Sequence, residues 1–573
     1  MSEPTPPVAT AAAACQDCYK CVRECPVKAI RVEDGAATIL AEQCIACGHC
    51  VRVCPAGAKR IRDDRDRVAT LLRADDPVYV SLAPSWVSEF PKLTPEQMVA
   101  GLRALGFAGV GATAAGAQEV SAHCAELLER EPGTWLSSAC PAAVAWATRY
   151  TGLGERVTPL LSPALAHARL LRERFGAQIA VVFIGPCIAK KLEADAAGEE
   201  LAAALTFSDL RAWWEESGID PTALEPDTQD AFCDPDIAAG ALYPLEGGML
   251  AGIRDRCAVT DPQLAGFSGM RAIERALSDL SPDDGVSRFL ELLACEGGCV
   301  NGPCTSGPGG TVTRRGAVLA AAPEPPAAAL APSRIDIATH IDARPANPPR
   351  HDATALRRAL AAVGKRGPED ELNCGGCGYE TCRAFAAACL EGKAEAAMCV
   401  TYMRRLAQNK ATTLLHAMPS AAVLVDSELY VVESNRAFLG LVAPDGSLDD
   451  RWEARPGLAG ASLPKLTGCW KPFRHVLDTA TDLVDRDLRQ GERIWRVSVF
   501  SVEPHRLVAG ILSDITAPTL RRQEILDRAG AVIERQLDAV QQVACILGEN
   551  AAESEILLGS ITEALRGSEQ RDA

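Results

Sequence analysis

The sequence lacks the features that would place the protein at a membrane or on nucleic acid. Its formal net charge is −17 and its pI is near 5.1, which argues against binding to nucleic acid or to an anionic membrane surface. No apolar run approaches the roughly 18 residues that a membrane span needs. The N-terminus has no basic segment and no leucine-rich core, so we expect no secretory signal peptide and a cytoplasmic protein.

Cysteine, by contrast, is abundant, with 23 residues that are mostly clustered. A chain of 573 residues is long enough for about four domains with ordinary cores, so it does not need a disulfide framework. Clustered cysteines in such a chain indicate metal binding. The motif "ACEGGCVNGPC" at residues 294–304 places Cys295 and Cys299 four residues apart on a glycine turn. Taken alone, this motif fits either a disulfide or a metal cluster.

An internal repeat lies near the N-terminus. The motifs "CQDCYKCVRECP" and "CIACGHCVRVCP" have four cysteines at equal intervals, 29 residues apart, and both match the bacterial ferredoxin run C-x2-C-x2-C-x3-C-P. In that run the fourth cysteine ligates the other cluster. After a disordered N-terminus at residues 1–9, we therefore predict a ferredoxin-like domain at residues 10–65 with two [4Fe–4S] clusters. The predicted ligands are Cys15, Cys18, Cys21 and Cys54 for one cluster, and Cys44, Cys47, Cys50 and Cys25 for the other. His49 is interpreted as a surface residue.

Residues 77–305 alternate short β-rich runs with helical stretches, which predicts parallel sheets covered by helices. Sites in such sheets gather at the carboxyl ends of strands, where Cys140 and Cys187 fall. Together with Cys295 and Cys299 they suit one [4Fe–4S] cluster better than disulfides, because other segments already resemble reduced cluster sites. Lys190 follows Cys187 at the start of a helix, either aimed at an anionic ligand or exposed at the surface. The remaining thiols are interpreted as packed or incidental: Cys124, Cys233, Cys257, Cys304, Cys469 and Cys545.

Residues 306–350 are rich in glycine, alanine and proline and are predicted to be a linker. The following small helical domain, residues 351–405, contains a C-x2-C-x4-C-x16-C motif. We predict a third [4Fe–4S] cluster there, with a Zn²⁺ site as the alternative. Its ligands would be Cys374, Cys377, Cys382 and Cys399, while Cys389 inside the helix is interpreted as a small core residue.

Residues 410–517 have no cysteine motif. Their pattern predicts a strand, a turn, a second strand, a helix capped by Ser434 or Asn435, and further strands. His416 and His475 are scattered, so no haem or flavin is assigned to this α+β domain. Residues 518–573 are predicted to be a helical tail. An approximate heptad pattern in the tail favours dimerisation over packing on its own domain. The seam comprises Leu526, Ile533, Leu537, Val540, Ala544 and Leu547.

The cysteine motifs of the central region resemble those of the [FeFe]-hydrogenases. "SSACP" (137–141), "GPCIAKKLE" (185–193) and "ELLACEGGC" (291–299) are similar to T-S-C-C-P, M-P-C-x-x-K-x-x-E and E-x-M-x-C-x-G-G-C. The resemblance implies a two-lobed H-cluster domain. The H-cluster is a [4Fe–4S] cluster joined through one cysteine to a di-iron unit with CO, cyanide and a bridging dithiolate, and the resemblance implies that this cysteine is Cys299. It further implies that Lys190 hydrogen-bonds a cyanide and that Glu193 holds Lys190, which would make Cys299, Lys190 and Glu193 the catalytic residues.

Three positions depart from the family motifs. Ala139 replaces the cysteine that passes protons, and Gly185 and Leu293 replace methionines. A thiol exchanges protons and a methyl group does not, so these residues imply a slow enzyme with an intact cofactor. The domain order, in which residues 374–399 resemble a small Fe–S domain and residues 411–516 resemble a PAS domain, is similar to that of sensory hydrogenases.

From these observations we predict a multidomain α/β protein that is a sensory [FeFe]-hydrogenase. It would oxidise H2 and reduce protons slowly, with three [4Fe–4S] clusters coupling the H-cluster to a PAS output. The alternatives are a catabolic, ferredoxin-linked hydrogenase and a non-catalytic iron–sulfur protein for electron transfer or redox sensing. Expected partners are H2 and protons, a redox partner such as ferredoxin, hydrogenase maturation proteins, a kinase or phosphatase in trans, and a second copy of the chain. No nucleic acid or membrane partner is expected.

Overall fold

The computed structural model describes residues 5–131, 133–234, 237–254, 263–281, 286–323, 335–346, 349–490, 493–515 and 530–536. The chain divides into two compact units, Met1–Val400 and Thr401–Ala573. Within the described ranges, every helix is too short or too polar to cross a membrane.

The first region of the first unit, here called the repeat module, contains both ferredoxin-like motifs. In each motif, the short helix that contains the third cysteine begins after a residue with positive φ, Tyr19 at 54° and Gly48 at 72°. The internal repeat of the sequence is therefore also a repeat of local structure. Its elements are β1 (Val8–Thr10), α1 (Lys20–Glu24), β2 (Ile30–Glu33), β3 (Ala36–Ile39), α2 (His49–Val53) and β4 (Lys59–Ile61), followed by α3 (Arg65–Leu72).

The predicted disorder of residues 1–9 is wrong for Val8 and Ala9. These residues lie in β1, which pairs antiparallel with β4 so that Val8 is opposite Ile61. Val8 is buried, and the Thr10 hydroxyl donates a hydrogen bond to the Ala37 carbonyl at 2.7 Å. Burial of an apolar side chain and closure of a strand pair hold this segment in the module.

The central domain contains two parallel sheets, as predicted. One has the strand order β6-β5-β8-β9 and the other β10-β11-β7, and helices cover both. Its elements are β5 (Val78–Leu82), α4 (Trp86–Glu89), α5 (Pro95–Arg103), β6 (Gly109–Ala112), α6 (Thr113–Arg130), β7 (Thr134–Leu136), α7 (Pro141–Tyr150), α8 (Pro163–Phe175), β8 (Ala180–Gly185), α9 (Ala189–Ala197), β9 (Ala203–Thr206), α10 (Phe207–Glu216), α11 (Gly248–Arg254), β10 (Leu264–Ser268), α12 (Met270–Leu277) and β11 (Arg288–Leu293).

The predicted linker at residues 306–350 is partly folded. A helix, α13 (Thr311–Ala321), buries Val318, and Ile337 is fully buried in a core of the central domain. The Leu161 amide donates to the Ile337 carbonyl at 2.9 Å, and the Thr339 amide donates to the Pro159 carbonyl at 3.0 Å. A few apolar residues attach the segment to the central domain, and its Ala/Pro-rich composition did not predict this attachment.

A third region, here called the CGGCG module (residues 351–399), is helical as predicted. It consists of α14 (Ala353–Ala362) packed against α15 (Cys382–Leu390). A further helix, α16 (Val400–Ala417), begins directly after Cys399 and continues past the predicted boundary at residue 405.

The second unit contains a five-stranded antiparallel sheet with the order β13-β12-β16-β15-β14. The Asn435 side chain, not Ser434, accepts the capping hydrogen bond at the start of α17, from the Phe438 amide. Residues 530–536 are helical, but most of the predicted heptad seam lies outside the described residues. The elements are β12 (Ala421–Asp426), β13 (Val431–Ser434), α17 (Arg436–Val442), α18 (Asp449–Ala454), α19 (Leu463–Leu466), α20 (Lys471–Thr479), β14 (Leu483–Gln490), β15 (Arg493–Glu503) and β16 (Leu507–Asp514).

Candidate metal centres

The second repeat lines a mostly apolar cavity. Its lining includes Cys44, Cys47 and Cys50 from the second repeat together with Cys25 from the first. The crossed grouping that the repeat predicted is therefore the grouping of thiols around this cavity. Burial raises the pKa of Cys25, Cys44, Cys47 and Cys50, so the apo site disfavours four unpaired thiolates.

The thiols of the first repeat lie in a more open setting. Cys18 is exposed and Cys15 is partly exposed, whereas Cys21 is buried. Burial raises the pKa of Cys21, and the neighbouring Cys18 and Cys15 add to that rise. Cys54 lies in the same backbone setting as its repeat partner Cys25: each Sγ accepts an amide hydrogen bond at 3.3 Å, from Ala58 and Ala29 respectively.

The three central motifs meet at the carboxyl ends of strands from both sheets. Cys140 follows β7, Cys187 follows β8 and Cys295 follows β11. The Ala294 amide donates to Cys140 Sγ at 3.5 Å, which joins the first motif to the third. The Cys304 amide donates to the Pro186 carbonyl at 3.3 Å, which joins the second motif to the segment that follows the third.

The four central thiols lie close enough together for the charge on one to affect the pKa of another. Burial, with the neighbouring Cys140, raises the pKa of Cys187 to about 11. Burial also raises the pKa of Cys295 and Cys299, and both Cys140 and Cys187 add to each rise. The Cys187, Cys295 and Cys299 side chains are partly accessible, yet the surrounding protein desolvates them strongly. Three thiols whose ionisation is opposed by burial and by their neighbours, Cys187, Cys295 and Cys299, suit a cationic iron core, which would offset their charge as thiolates.

Lys190 is buried beside these thiols and is not the exposed lysine of the alternative interpretation. Its ammonium donates to Glu193 Oε2 at 2.6 Å and to Ser162 Oγ at 2.8 Å. It also lowers the pKa of Cys187 and Cys299, opposing the effect of burial. A buried ammonium with two fixed partners and one remaining donor is suited to an anionic or dipolar ligand.

Ser162 is a site residue that sequence reasoning missed. It stands before Pro163 at the start of α8, and the "LSP" sequence is a helix-start signal that could have drawn attention to it.

At position 185, where the family motif has methionine, the Phe183 ring occupies the space that a side chain would need. A Cβ at Gly185 would lie 2.5 Å from Phe183 Cζ, and the Phe183 ring lies 5.8 Å from the Lys190 ammonium.

Glu291 is the first residue of the third motif, and the sequence analysis assigned it no role in the site. It is 1% exposed, and its carboxyl accepts hydrogen bonds from the Gly247 and Met249 amides at 2.7 and 3.1 Å. Burial raises the pKa of Glu291 to about 7, with a contribution from Glu246. The carboxyl also adds to the raised pKa of Cys299, so it is close enough to influence the central thiols.

The thiols of the CGGCG module differ in part from the prediction. Cys374 and Cys399 both add to the raised pKa of Cys377, whose main cause is burial. Cys389, interpreted as a core residue, is only partly buried, and Cys377 and Cys399 add to its burial-raised pKa. Cys382 is buried against Leu360. Cys389 therefore lies near two of the predicted ligands, Cys377 and Cys399.

Of the remaining thiols, Cys124, Cys304 and Cys469 are buried in apolar clusters and fit the interpretation of packed residues. Cys233 is partly buried. Cys257 and Cys545 lie outside the described residues. Among the side chains that the structure describes, no three from histidine, cysteine, aspartate or glutamate form a site for a single metal ion.

Comparisons with known proteins agree with these motifs. Residues 76–303 match the family model for the C-terminal domain of the iron only hydrogenase large subunit, residues 8–55 match a 4Fe-4S dicluster domain, and residues 370–401 match an Fe-S cluster family. No curated protein matches the chain.

Solved structures give more distant similarities. The [FeFe]-hydrogenase HydA(deltaEFG) is 19% identical over 45% of this chain and 88% of that chain, with a TM-score of 0.36. A variant of HydA1 from Chlamydomonas reinhardtii has the same identity, coverage and TM-score. The LOV protein of Rhodobacter sphaeroides is 15% identical over 30% of this chain and 99% of that chain, with a TM-score of 0.21.

The cysteine motifs and the three family matches define an iron–sulfur protein. Its central domain has the hydrogenase motifs in their expected order at the ends of parallel strands. The chain is an [FeFe]-hydrogenase-like protein.

Proposed function

We propose that the chain is a sensory [FeFe]-hydrogenase that oxidises H2 and reduces protons slowly and passes the result to a PAS-type domain. One observation supports this most strongly. Lys190, held by Glu193 and Ser162, stands beside the thiols of Cys187 and Cys299, while Ala139 occupies the position of the proton-relay cysteine.

Cys140, Cys187, Cys295 and Cys299 would hold the cubane of the H-cluster, and Cys299 would also bridge to the di-iron unit. When bound, this group supplies the reversible splitting of H2 into protons and electrons. The thiols fit it, since they converge from three loops and, once ionised, would repel one another without a cation. The other proposed ligand sets, for three [4Fe–4S] clusters, are Cys15, Cys18, Cys21 and Cys54; Cys25, Cys44, Cys47 and Cys50; and Cys374, Cys377, Cys382 and Cys399.

Lys190 would orient the group by donating a hydrogen bond to a cyanide. Its geometry is fixed before binding, because Glu193 and Ser162 take two of its three donors. Burial strengthens the remaining donor, since water does not compete for it. The same side chain would stabilise the charge of the nearby thiolates.

Slow turnover follows from the residue at position 139. The Ala139 methyl group packs against an apolar cluster and exchanges no proton. Loss of a positioned acid or base costs about 10²–10⁴ in rate. A sensor tolerates this cost, because it needs to register H2 and not to process it in bulk.

The second unit supports the output role. Its five antiparallel strands and small flanking helices form the α+β domain that we propose to be of PAS type. The helix α16 begins at Val400, directly after Cys399 of the CGGCG module, and ends at Ala417, four residues before the first strand of that domain. Proposed partners are a ferredoxin-type redox protein, maturation proteins, a kinase or phosphatase in trans, and a second copy of the chain, all in the cytoplasm.

The test is H2 uptake by the matured protein with the variant Ala139→Cys beside it. We expect slow H2 uptake in the unmodified protein. In the variant the uptake rate should increase, by at most about 10²–10⁴-fold. Ala145→Cys, on the neighbouring helix α7, is the matched control and should leave uptake unchanged. Uptake in the unmodified protein as fast as in a bulk hydrogenase would contradict the sensory role and favour the catabolic alternative.

A further inference from the structure

The second repeat of the repeat module is seated on the central domain. The Arg52 guanidinium donates to the Asn301 carbonyl at 3.1 Å, two residues after Cys299. A Cβ at Gly48 would lie 2.5 Å from Pro303 and 2.8 Å from Ile188, so the backbone approaches both loops closely. This face of the module therefore contacts the loops that contain Cys187 and Cys299.

The first repeat presents the equivalent face to a different partner. Arg23, which precedes Arg52 by the 29-residue repeat, donates to the Gly376 carbonyl of the CGGCG module at 3.3 Å. A Cβ at Gly378 would lie 2.9 Å from Val22 Cγ1 and 3.1 Å from the Arg23 amide nitrogen. The loop between Cys374 and Cys382 thus packs on the helix between Cys21 and Cys25.

A strand edge extends this second contact. The Val32 amide in β2 donates to the Lys393 carbonyl at 2.9 Å, and the Asp34 amide donates to Glu395 Oε1 at 2.9 Å. The opposite edge of β2 pairs with β3, so these two amides find their partners in the CGGCG module. Main-chain pairing at an exposed strand edge is a common mode of docking.

We propose that the repeat module uses its internal symmetry to hold the CGGCG module and the central domain on opposite repeats, so that the four cysteine sites lie in the order CGGCG, first repeat, second repeat, centre. The identity of the metal groups in this order rests on the proposed function. Electrons from the centre would then reach the CGGCG module through the repeat module. Cys399, the residue before α16, makes that module the last site before the second unit.

The second-repeat end of this order has independent support in packing. Cys47 and Cys140 pack against the same two apolar clusters, and Cys187 lies in one of them. The Arg149 guanidinium donates to the Cys44 carbonyl at 3.2 Å, and the Tyr150 hydroxyl donates to the Gln43 carbonyl at 2.5 Å. The second repeat is thus the neighbour of the central thiols.

The docking contact is tested by amide hydrogen exchange on the full chain containing only its [4Fe–4S] clusters. We expect slow exchange at Val32 and Asp34. In the double variant Arg23→Glu, Glu395→Ala, which removes one hydrogen bond from each contact, exchange should rise about tenfold or more. The symmetry-matched control Arg52→Glu should leave these two amides unchanged. Fast exchange at both amides in the unmodified protein, or no change in the double variant, would overturn the proposal.

A second measurement reads the order of the sites directly. In the chemically reduced chain, electron paramagnetic resonance should show magnetic interaction between the CGGCG cluster and a ferredoxin-type cluster. The double variant should lose this interaction at unchanged iron content, while Arg52→Glu should retain it. Interaction that persists in the double variant would overturn the order.

Neither measurement uses H2 or the di-iron unit. A chain that passes both and does not react with H2 would therefore contradict the proposed function alone. A chain that reacts with H2 but fails both would contradict only the inference drawn here.

Discussion

The two cysteine repeats have the same spacing and different surroundings. The thiols of the second repeat, with Cys25, line an apolar cavity, whereas Cys18 of the first repeat is exposed. At the equivalent helix-start position the second repeat has Gly48, pressed against the central domain, and the first has Tyr19, whose hydroxyl donates to Asp17. Spacing thus indicates the kind of cluster, while surroundings determine its neighbours and its access to solvent.

This difference matters because burial and nearby hydrogen-bond donors tune the potential of an iron–sulfur cluster. Two clusters with identical ligand spacing need not share a potential. The buried second repeat faces the central thiols, and the more open first repeat faces the CGGCG module. From the difference between the two repeats we make three predictions, beginning with the largest expected effect.

The largest effect is expected where the repeat module is anchored to the central domain. Lys191 is fully buried, with its ammonium 2.9 Å from Asp64 Oδ2 and 2.8 Å from Asp209 Oδ2. Lys191→Met leaves the partly buried Asp209 carboxylate without a cation and leaves Asp64 with Arg62 alone, so the free energy of unfolding should fall by about 3–5 kcal/mol. Urea titration measures it, with the exposed Lys92→Met as control. A loss below about 1 kcal/mol would show that the anchor contributes little.

A substitution at Gly48 tests the contact between the second repeat and the central domain. Its φ is +72° and a Cβ would meet Pro303, so Gly48→Ala combines backbone strain with overpacking and should cost about 2–4 kcal/mol. Gly35 is the matched control, because its φ is +71° and open space surrounds its Cα. Gly35→Ala should cost only about 1 kcal/mol. Equal costs for the two variants would mean that the second repeat is not pressed against the central domain.

The smallest effect concerns the carboxyl near the pocket that the second repeat faces. The pKa of Glu291 rises from 4.5 to about 7 on folding. Between these values the folded chain binds a proton that the unfolded chain has lost, so the unfolding free energy falls as pH rises. From pH 6 to pH 7 this loss should be about 1 kcal/mol in the cofactor-free chain. Glu291→Gln should flatten that slope, and an unchanged slope would assign it to other groups.

Much of the site could be predicted because its information is local. The 29-residue repeat predicted which cysteine of the first motif joins the second, and Cys25 does line the cavity with Cys44, Cys47 and Cys50. The alternation of strands and helices predicted parallel sheets with cysteines at their carboxyl ends. Lys190 and Glu193, three residues apart on one helix, also form the expected pair.

The parts that were missed depend on contacts between distant segments. Ser162 reaches Lys190 from another helix, and Glu291 is buried by the turn before α11, so neither relation appears as a spacing. Ile337 folds back from an Ala/Pro-rich segment through a few apolar contacts that composition does not reveal. Cys389 lies near Cys377 because of how α15 packs, which one helical pattern cannot specify.

The central claim is that the central thiols and Lys190 hold an H-cluster. The most direct measurement is the infrared spectrum of the matured protein under argon and under H2, with Cys299→Ala as the control. We predict CO and cyanide bands that shift under H2 and that are absent from the variant. A matured protein with full iron content and no such bands would contradict the account.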